Sequence, residues 1–277
     1  MKLNILLPTD FSDNSWSAIV YALKLYANAS CAFYLLNSTE NDRINKRTHI
    51  TGHFLEELEN KATKELLALK EQAIEANANE NHDFEIIVSS KKLTKAIAES
   101  IEEFAINTIV MGTQGDAKKE NVFFGSNTVS VLKNIHSCPV LVVPDEFDFE
   151  KPKHIAFPTD YNRFYKDKEL EVLRDLAELY NSSINVVHIE EKKELSEVQQ
   201  YNISKLDVYL KEFEHSFHWM PNYAKKTTVI NDFIEELDIN ILAIVNYKHS
   251  FVENIIKEPI IKKIGYHPII PFLVIPE

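Results

Sequence analysis

Three of the five glycines in this 277-residue chain fall at Gly112, Gly115 and Gly125, and Ser126 follows the third. The spacing reads Gly-x2-Gly-x9-Gly-Ser. In a chain this poor in glycine, such a cluster answers a local need. Glycine tolerates φ > 0 and lets the backbone come close to a ligand. An apolar, strand-like run (Asn107 to Met111) leads in, and a helix-like run (Asn127 to Asn134) leads out. Bare amides and the positive end of a helix dipole then face the loop, which is chemistry suited to phosphate. The backbone N–H groups of Gly115, Gly125 and Ser126 are candidate donors, with the hydroxyls of Ser126 and Thr128. Asp10 ends another strand-like run. Alone it reads equally as a turn cap, but strand ends gather at one edge of an open α/β sheet, which brings it near Gly112.

Other constellations carry less. His49 and His53 stand at i, i+4, as metal-binding pairs do, but Gly52 disfavours a firm helix there and no further ligand is evident. His215 and His218 read as solvated or capping groups near a helix end. Lys91 and Lys92 read as solvated charge before a helix, and Glu56, Glu57 and Glu59 as an exposed helix face. Asp116 and Glu120 in the glycine loop are the carboxylates available to Mg²⁺. The chain has no Gly-x-Ser-x-Gly elbow and no Gly-Lys-(Ser/Thr), which argues against a serine hydrolase of that kind and a P-loop NTPase.

The elements that must position these groups occur twice. ILLPTD at Ile5 to Asp10 returns as IAFPTD at Ile155 to Asp160, and PVLVVP at Pro139 to Pro144 returns in IPFLVIP at Ile270 to Pro276. A match at both opening and close indicates two copies of one architecture. Asp145 to Pro152 reads as the linker, giving domains 1–146 and 152–277. In the first, the pattern predicts strands at Leu3–Leu7, Ala32–Leu36, Phe84–Ser89, Thr108–Met111 and Val140–Val143. Helices are expected at Ser15–Asn28, Phe54–Asn77, Leu93–Phe104 and Asn127–Asn134, with Ser12 as the first N-cap. In the second, strands are expected at His154–Phe157, Ile184–Ile189, Ala224–Val229, Ile241–Val245 and Phe272–Ile275. Its helices are expected at Asp167–Asn181, Leu195–Phe217, Asp232–Leu237 and Ile255–Ile264. Near-continuous apolar strands alternating with helices give an α/β class: two tandem, doubly wound, parallel five-stranded sheets, Rossmann-like.

The formal net charge of −12 opposes bulk nucleic-acid binding. Cys31 and Cys138 are too few for a disulfide framework and read as small core residues in a reducing compartment. The opening apolar stretch is too short for a signal segment, and no run reaches the ~20 apolar residues of a membrane span. These features lead to the expectation of a soluble, cytoplasmic protein without membrane or nucleic-acid partners.

The glycine motif at Gly112, Gly115, Gly125 and Ser126 resembles that of the universal stress protein family, in its ATP-binding branch. The run Pro8, Thr9, Asp10, Phe11, Ser12 is similar to the family's Pro-x-Asp-x-Ser, and Cys138 to Val143 to its closing strand. The resemblance implies the adenine nucleotide alpha hydrolase-like variant of this fold, with ATP as ligand. By resemblance, Pro8, Thr9 and Asp10 would line base and ribose. Ser38 would face adenine, where the family more often has valine. Met111, Gly112, Gln114, Gly115, Gly125, Ser126, Asn127 and Thr128 would follow the phosphates. In the family the closing strands of two domains pair across a two-fold axis, which implies an intramolecular pseudo-dimer here; a further homodimer stays open.

The second half departs from the motif. Alignment sets Asn246 against Gly112, His249 against Gly115, Pro259 against Gly125 and Ile260 against Ser126. Proline lacks the N–H and isoleucine the hydroxyl, so one nucleotide site per chain is expected, in the first half. The primary reading is an ATP-binding, stress-linked regulator. The alternatives are a nucleotide-independent interaction module, or a weak ATPase or self-phosphorylating enzyme.

Overall fold

The computed structural model describes residues 2–40, 52–113, 124–145, 147–190, 194–224, 226–247 and 270–277. The chain divides into two compact units, Met1–Phe149 and Glu150–Glu277.

Unit 1 carries β1 (Leu3–Pro8), α1 (Asp13–Leu25), β2 (Cys31–Ser38), α2 (Gly52–Ala76), β3 (His82–Ser89), α3 (Leu93–Phe104), β4 (Thr108–Gly112), α4 (Ser126–Asn134) and β5 (Val140–Val143). The strands lie in the order β3-β2-β1-β4-β5, and every neighbouring pair is parallel. Consecutive residues of β1, β4 and β5 are buried, as both faces of a covered parallel sheet require. In α2 the buried residues Leu58, Ala62, Leu66, Leu69 and Ala73 recur at helical spacing and form one stripe. The expected cap holds: Ser12 Oγ accepts the Ser15 amide, and Asp13 adds favourable charge to the first turn. Beyond β5 the chain stays on unit 1, where Phe147 and Phe149 set their edges against the Tyr21 ring at 5.9 and 5.3 Å.

Unit 2 carries β6 (His154–Pro158), α5 (Asp167–Glu178), β7 (Ser183–Glu190), α6 (Glu197–Leu210), β8 (His215–Pro221), α7 (Lys226–Glu236), β9 (Ile241–Asn246) and β10 (Phe272–Pro276). Its order, β8-β7-β6-β9-β10, repeats that of unit 1 and is again wholly parallel. Ser196 and Gln199 close a capping box on α6.

Two expectations fail in unit 2. The helix expected over Leu195–Phe217 stops at Leu210, and the strand expected at Ala224–Val229 falls largely within α7. The strand is His215–Pro221, where HSFHWMP pairs with β7. Thr227, Thr228 and Val229 are β-branched and suggest a strand by composition. Burial of Val229, Ile230, Phe233 and Ile234 follows a helical period instead, and packing overrides propensity. His215 and His218 accordingly sit on the edge strand β8, not at a helix end. His215 Nε2 meets Asp207 Oδ1 at 3.0 Å, and His218 bonds Ser216 Oγ at 2.7 Å. The helix expected at Ile255–Ile264, and His49, lie outside the described residues. Gly52 does not prevent a helix, since α2 begins there; His53 lies in its first turn, with Nδ1 3.3 Å from Glu57 Oε1.

Both cysteines are buried and free. Desolvation pushes the Cys31 thiol up to about 11 and the Cys138 thiol up to about 12. At pH 8 the folded protein should therefore react with Ellman's reagent roughly a hundredfold more slowly than the urea-unfolded chain. Rapid labelling of either thiol in the native state would contradict this packing.

Candidate functional site

In unit 1 the strand order reverses direction between β1 and β4, and such a switch point opens a crevice at the carboxyl ends of the strands. β1 and β4 are direct neighbours, with Ile5 opposite Thr108 and Leu6 opposite Ile109. Pro8 and Gly112 therefore end side by side, and the residues that follow them share one edge. Pro8 and Thr9 are buried; Asp10 is exposed. Thr9 shapes the exit from the strand. Its hydroxyl accepts the Phe11 amide at 3.0 Å and meets Ser15 Oγ at 2.9 Å. Its carbonyl accepts Asn37 Nδ2 at 2.9 Å. Phe11 takes a left-handed φ of 64°, an uncommon state for a non-glycine residue. Asp10 Oδ1 accepts both the amide and the hydroxyl of Ser12, which holds the carboxylate at the mouth of the crevice.

The β4–α4 segment supplies the other wall. Gly112 is required by packing: a Cβ there would lie 2.0 Å from Asn14 Oδ1 and 2.9 Å from the Asn14 carbonyl oxygen. The first turn of α1 thus lies directly on the end of β4, and Asn14 reaches on to Asp145 at 3.2 Å. Gly125 is the N-cap of α4 at φ −62°, ψ 157°, angles open to any residue. Backbone strain is therefore not its reason; what it contributes is the absence of a side chain at the cap over the first-turn amides of Ser126, Asn127 and Thr128. The Gly125 amide donates to Thr113 O at 2.8 Å, so it tethers the loop. Ser126 is exposed and Asn127 half-buried. Thr128 is buried and donates its hydroxyl to Gly112 O at 2.9 Å, joining α4 to β4. Met111 is buried beneath this edge. Ser38, at the end of β2, donates its hydroxyl to Lys91 O at 2.6 Å. Gln114, Gly115, Asp116 and Glu120 lie outside the described residues.

The model of the universal stress protein family matches residues 1–144. The chain belongs to the universal stress protein family. Universal stress protein YxiE of Bacillus subtilis is 26% identical over 145 residues, covering 50% of this chain and 97% of that protein. A universal stress protein from Archaeoglobus fulgidus aligns over 99% of this chain and 96% of its own, with a TM-score of 0.68 and 18% identity. The functionally unknown protein PA1789 from Pseudomonas aeruginosa covers 99% and 92% respectively, with a TM-score of 0.59 and 14% identity. At these identities the two structures speak for the fold alone, and they do so over both units.

Within this universal stress protein, unit 2 builds the same turn and then fills the space beside it. Thr159 Oγ1 accepts the Tyr161 amide at 3.0 Å and the Tyr165 hydroxyl at 2.7 Å. His188 Nδ1 meets Thr159 O at 2.9 Å, and Tyr161 takes φ 57°. Asp160 Oδ1 accepts the Asn162 amide at 2.9 Å, and Tyr247, from just beyond β9, lies close to that carboxylate; burial pushes its phenol up to about 12. The Arg163 guanidinium lies 5.2 Å from the Tyr165 ring centroid and 4.9 Å from that of Tyr247. It also pairs with Glu169 at 2.6 Å, whose side chain is only 3% exposed. From α6, Gln199 Nε2 and Asn202 Nδ2 donate to the carbonyls of Asp160 and Tyr161, each at 2.8 Å. The fill is imperfect, since Tyr161 Oη and Arg163 Nη1 are buried and find no hydrogen-bond partner among the described residues.

Sequence reasoning missed Asn14, Asn37 and the Arg163 plug. For Asn37 a signal existed: a polar residue ends the apolar β2 run at the position where His188 ends β7. An open depression of about 480 Å³ lies at the opposite edge of unit 1, among Lys2, Tyr34, Lys70, Asn77, His82 and Glu85. It is remote from the strand ends, and its lysines are engaged by Asp83 and the Phe84 carbonyl. Among the described residues no cluster of three or more metal-ligating side chains occurs, and no helix is long and apolar enough to cross a membrane.

Two stability predictions follow from these contacts. Gly112→Ala should destabilise unit 1 by ~1–3 kcal/mol in urea unfolding, and Asn14→Gly should recover part of that loss, because the side-chain clash goes while the carbonyl contact stays. Arg163→Met should cost ~3–5 kcal/mol by stranding the buried Glu169 carboxylate, and adding Glu169→Leu should restore most of it. A neutral Arg163→Met would show that the plug is not cohesive.

Proposed function

We propose that unit 1 binds an adenine nucleotide, ATP by the resemblance of its motif, and that the chain holds one such site. The observation that carries this reading is the contrast between the two strand-end edges. In unit 1 an exposed carboxylate at Asp10 shares an edge with a helix N-terminus whose cap, Gly125, has no side chain. Those groups fit the ligand. A carboxylate accepts from ribose hydroxyls, and first-turn amides with the exposed Ser126 hydroxyl donate to phosphate oxygens. Thr128 acts from behind by fixing α4 to Gly112 O. In unit 2 the matching carboxylate is half-buried beside Tyr247, and Arg163 lies against the rings of Tyr165 and Tyr247 next to it.

The reading is one of binding and regulation in stress, with turnover slow or absent. Asp10 Oδ1 accepts two hydrogen bonds from Ser12, which fixes the group in place as an acceptor. Mg²⁺ would reach the site with the phosphates and neutralise them there.

Isothermal titration with ATP and Mg²⁺ should give a stoichiometry near one per chain. Gly125→Val should abolish the heat, because its side chain would cover the first-turn amides, while leaving the melting temperature of the free protein nearly unchanged, since the backbone angles at Gly125 suit any residue. No heat with the native chain, or a stoichiometry near two, would overturn the proposal.

A further inference from the structure

The two units use different side chains for one task at the end of the second strand of each sheet. In unit 1, Pro8 pairs with Leu36 in the last rung of β1–β2, and the Thr9 amide donates to Leu36 O at 2.9 Å. The chain then leaves the sheet, turning through Phe11 at φ 64°. The Thr9 carbonyl would be left without a ladder partner. Asn37, the next residue of β2 and only 7% exposed, supplies one: its Nδ2 donates to Thr9 O at 2.9 Å. Unit 2 repeats every step. Pro158 pairs with Val187, the Thr159 amide donates to Val187 O at 2.9 Å, and His188 meets Thr159 O at 2.9 Å. A carbonyl only accepts, so His188 carries its proton on Nδ1.

We propose that Asn37 is a positioning residue for the nucleotide site: by extending the β1–β2 ladder with a side-chain rung, it fixes the Thr9–Asp10–Phe11 turn and so the place of the Asp10 carboxylate. This rests on the nucleotide reading of unit 1. Asn37 itself touches no reacting or ligand-binding atom; it acts through Thr9. The energetic reasoning is direct. A left-handed non-glycine residue is disfavoured sterically, and a buried carbonyl stripped of its donor adds a desolvation penalty. Without Asn37 the turn therefore has reason to relax, and Asp10, held to the rest of the turn through Ser12, moves with it. The chain also supplies its own conservative replacement. Histidine performs the same donation at the same register in unit 2, so Asn37→His should substitute where Asn37→Leu, of similar size and without a donor, should not.

The test uses the full chain and two readouts, with far-ultraviolet circular dichroism to confirm that each variant is folded. Titration with ATP and Mg²⁺ reads the site; amide hydrogen exchange of a peptide spanning Thr9 to Ser15 reads the turn without ligand. Asn37→Leu should weaken ATP binding about tenfold and speed exchange of the turn about tenfold, the effect of losing one hydrogen bond. Asn37→His should return both to within about threefold of the native chain. Should Asn37→Leu fail to fold, Asn37→Asp, isosteric and without the amide donor, replaces it with the same expectation. Unchanged exchange in the donor-less variant, unchanged affinity with faster exchange, or a histidine variant as impaired as leucine would each overturn the positioning role. If the native chain binds no ATP, the nucleotide reading falls, and the exchange comparison still decides separately whether Asn37 holds the turn.

Discussion

One threonine hydroxyl at the end of the first strand of each unit governs how the chain leaves the sheet. Thr9 Oγ1 accepts the amide two residues on and engages the side chain six residues on, and Thr159 Oγ1 does the same. That local ring is what sustains a left-handed residue at Phe11 and Tyr161 without glycine. It also turns an aspartate outward at the strand's carboxyl end in both units. Everything else at this edge is arranged around a turn whose geometry is already decided: the start of the first helix, the approach of that helix to the neighbouring strand, and the space left beside the aspartate.

The units diverge at what the turn meets. In unit 1 the helix begins at Asp13, four residues after Thr9, and its first turn presses on the end of β4 where Gly112 has no Cβ. In unit 2 the strand equivalent to β4 ends in Asn246, and the helix begins only at Asp167, eight residues after Thr159. Asn246 carries a Cβ at the strand end where Gly112 has none. The longer connection carries Arg163 and Tyr165, with the guanidinium paired to Glu169 and set against the rings of Tyr165 and Tyr247. In unit 2 the missing glycine, the later helix start and the Arg163 cluster thus occur together.

The repeat and the parallel order were legible because they rest on short, strongly patterned runs. The matched Pro-Thr-Asp endings located both turns, and Ser12 was readable as a cap because its role is local. β8 was not legible. HSFHWMP alternates, but it follows a helix without glycine or proline to mark the break, while Thr227, Thr228 and Val229 imitate a strand. The packing role of Gly112 was not legible because its partner, Asn14, lies nearly a hundred residues away and carries no pattern of its own. The bond made by Thr128 was hidden for the same reason. Its acceptor is a backbone carbonyl that becomes visible only once β4 and α4 are folded together.

Those packing roles bear on how the family's glycine motif is interpreted. Of the residues described here, Gly112 answers to Asn14 and Thr128 to Gly112 O; both secure the α1–β4–α4 corner whether or not a ligand is present. Gly125 is different, since its backbone angles suit any residue and only its missing side chain distinguishes it. A chain could therefore keep the first glycine for its fold after losing nucleotide binding, but it would have little reason to keep Gly125 beside an exposed Ser126. Their joint presence is thus a stronger sign of a working site than the count of glycines. The reverse path is also constrained. Removing Arg163 from unit 2 would leave the buried Glu169 carboxylate without its cation but would leave the helix start at Asp167, eight residues after Thr159. Reopening that edge therefore requires more than clearing one side chain, because the length of the connection differs as well.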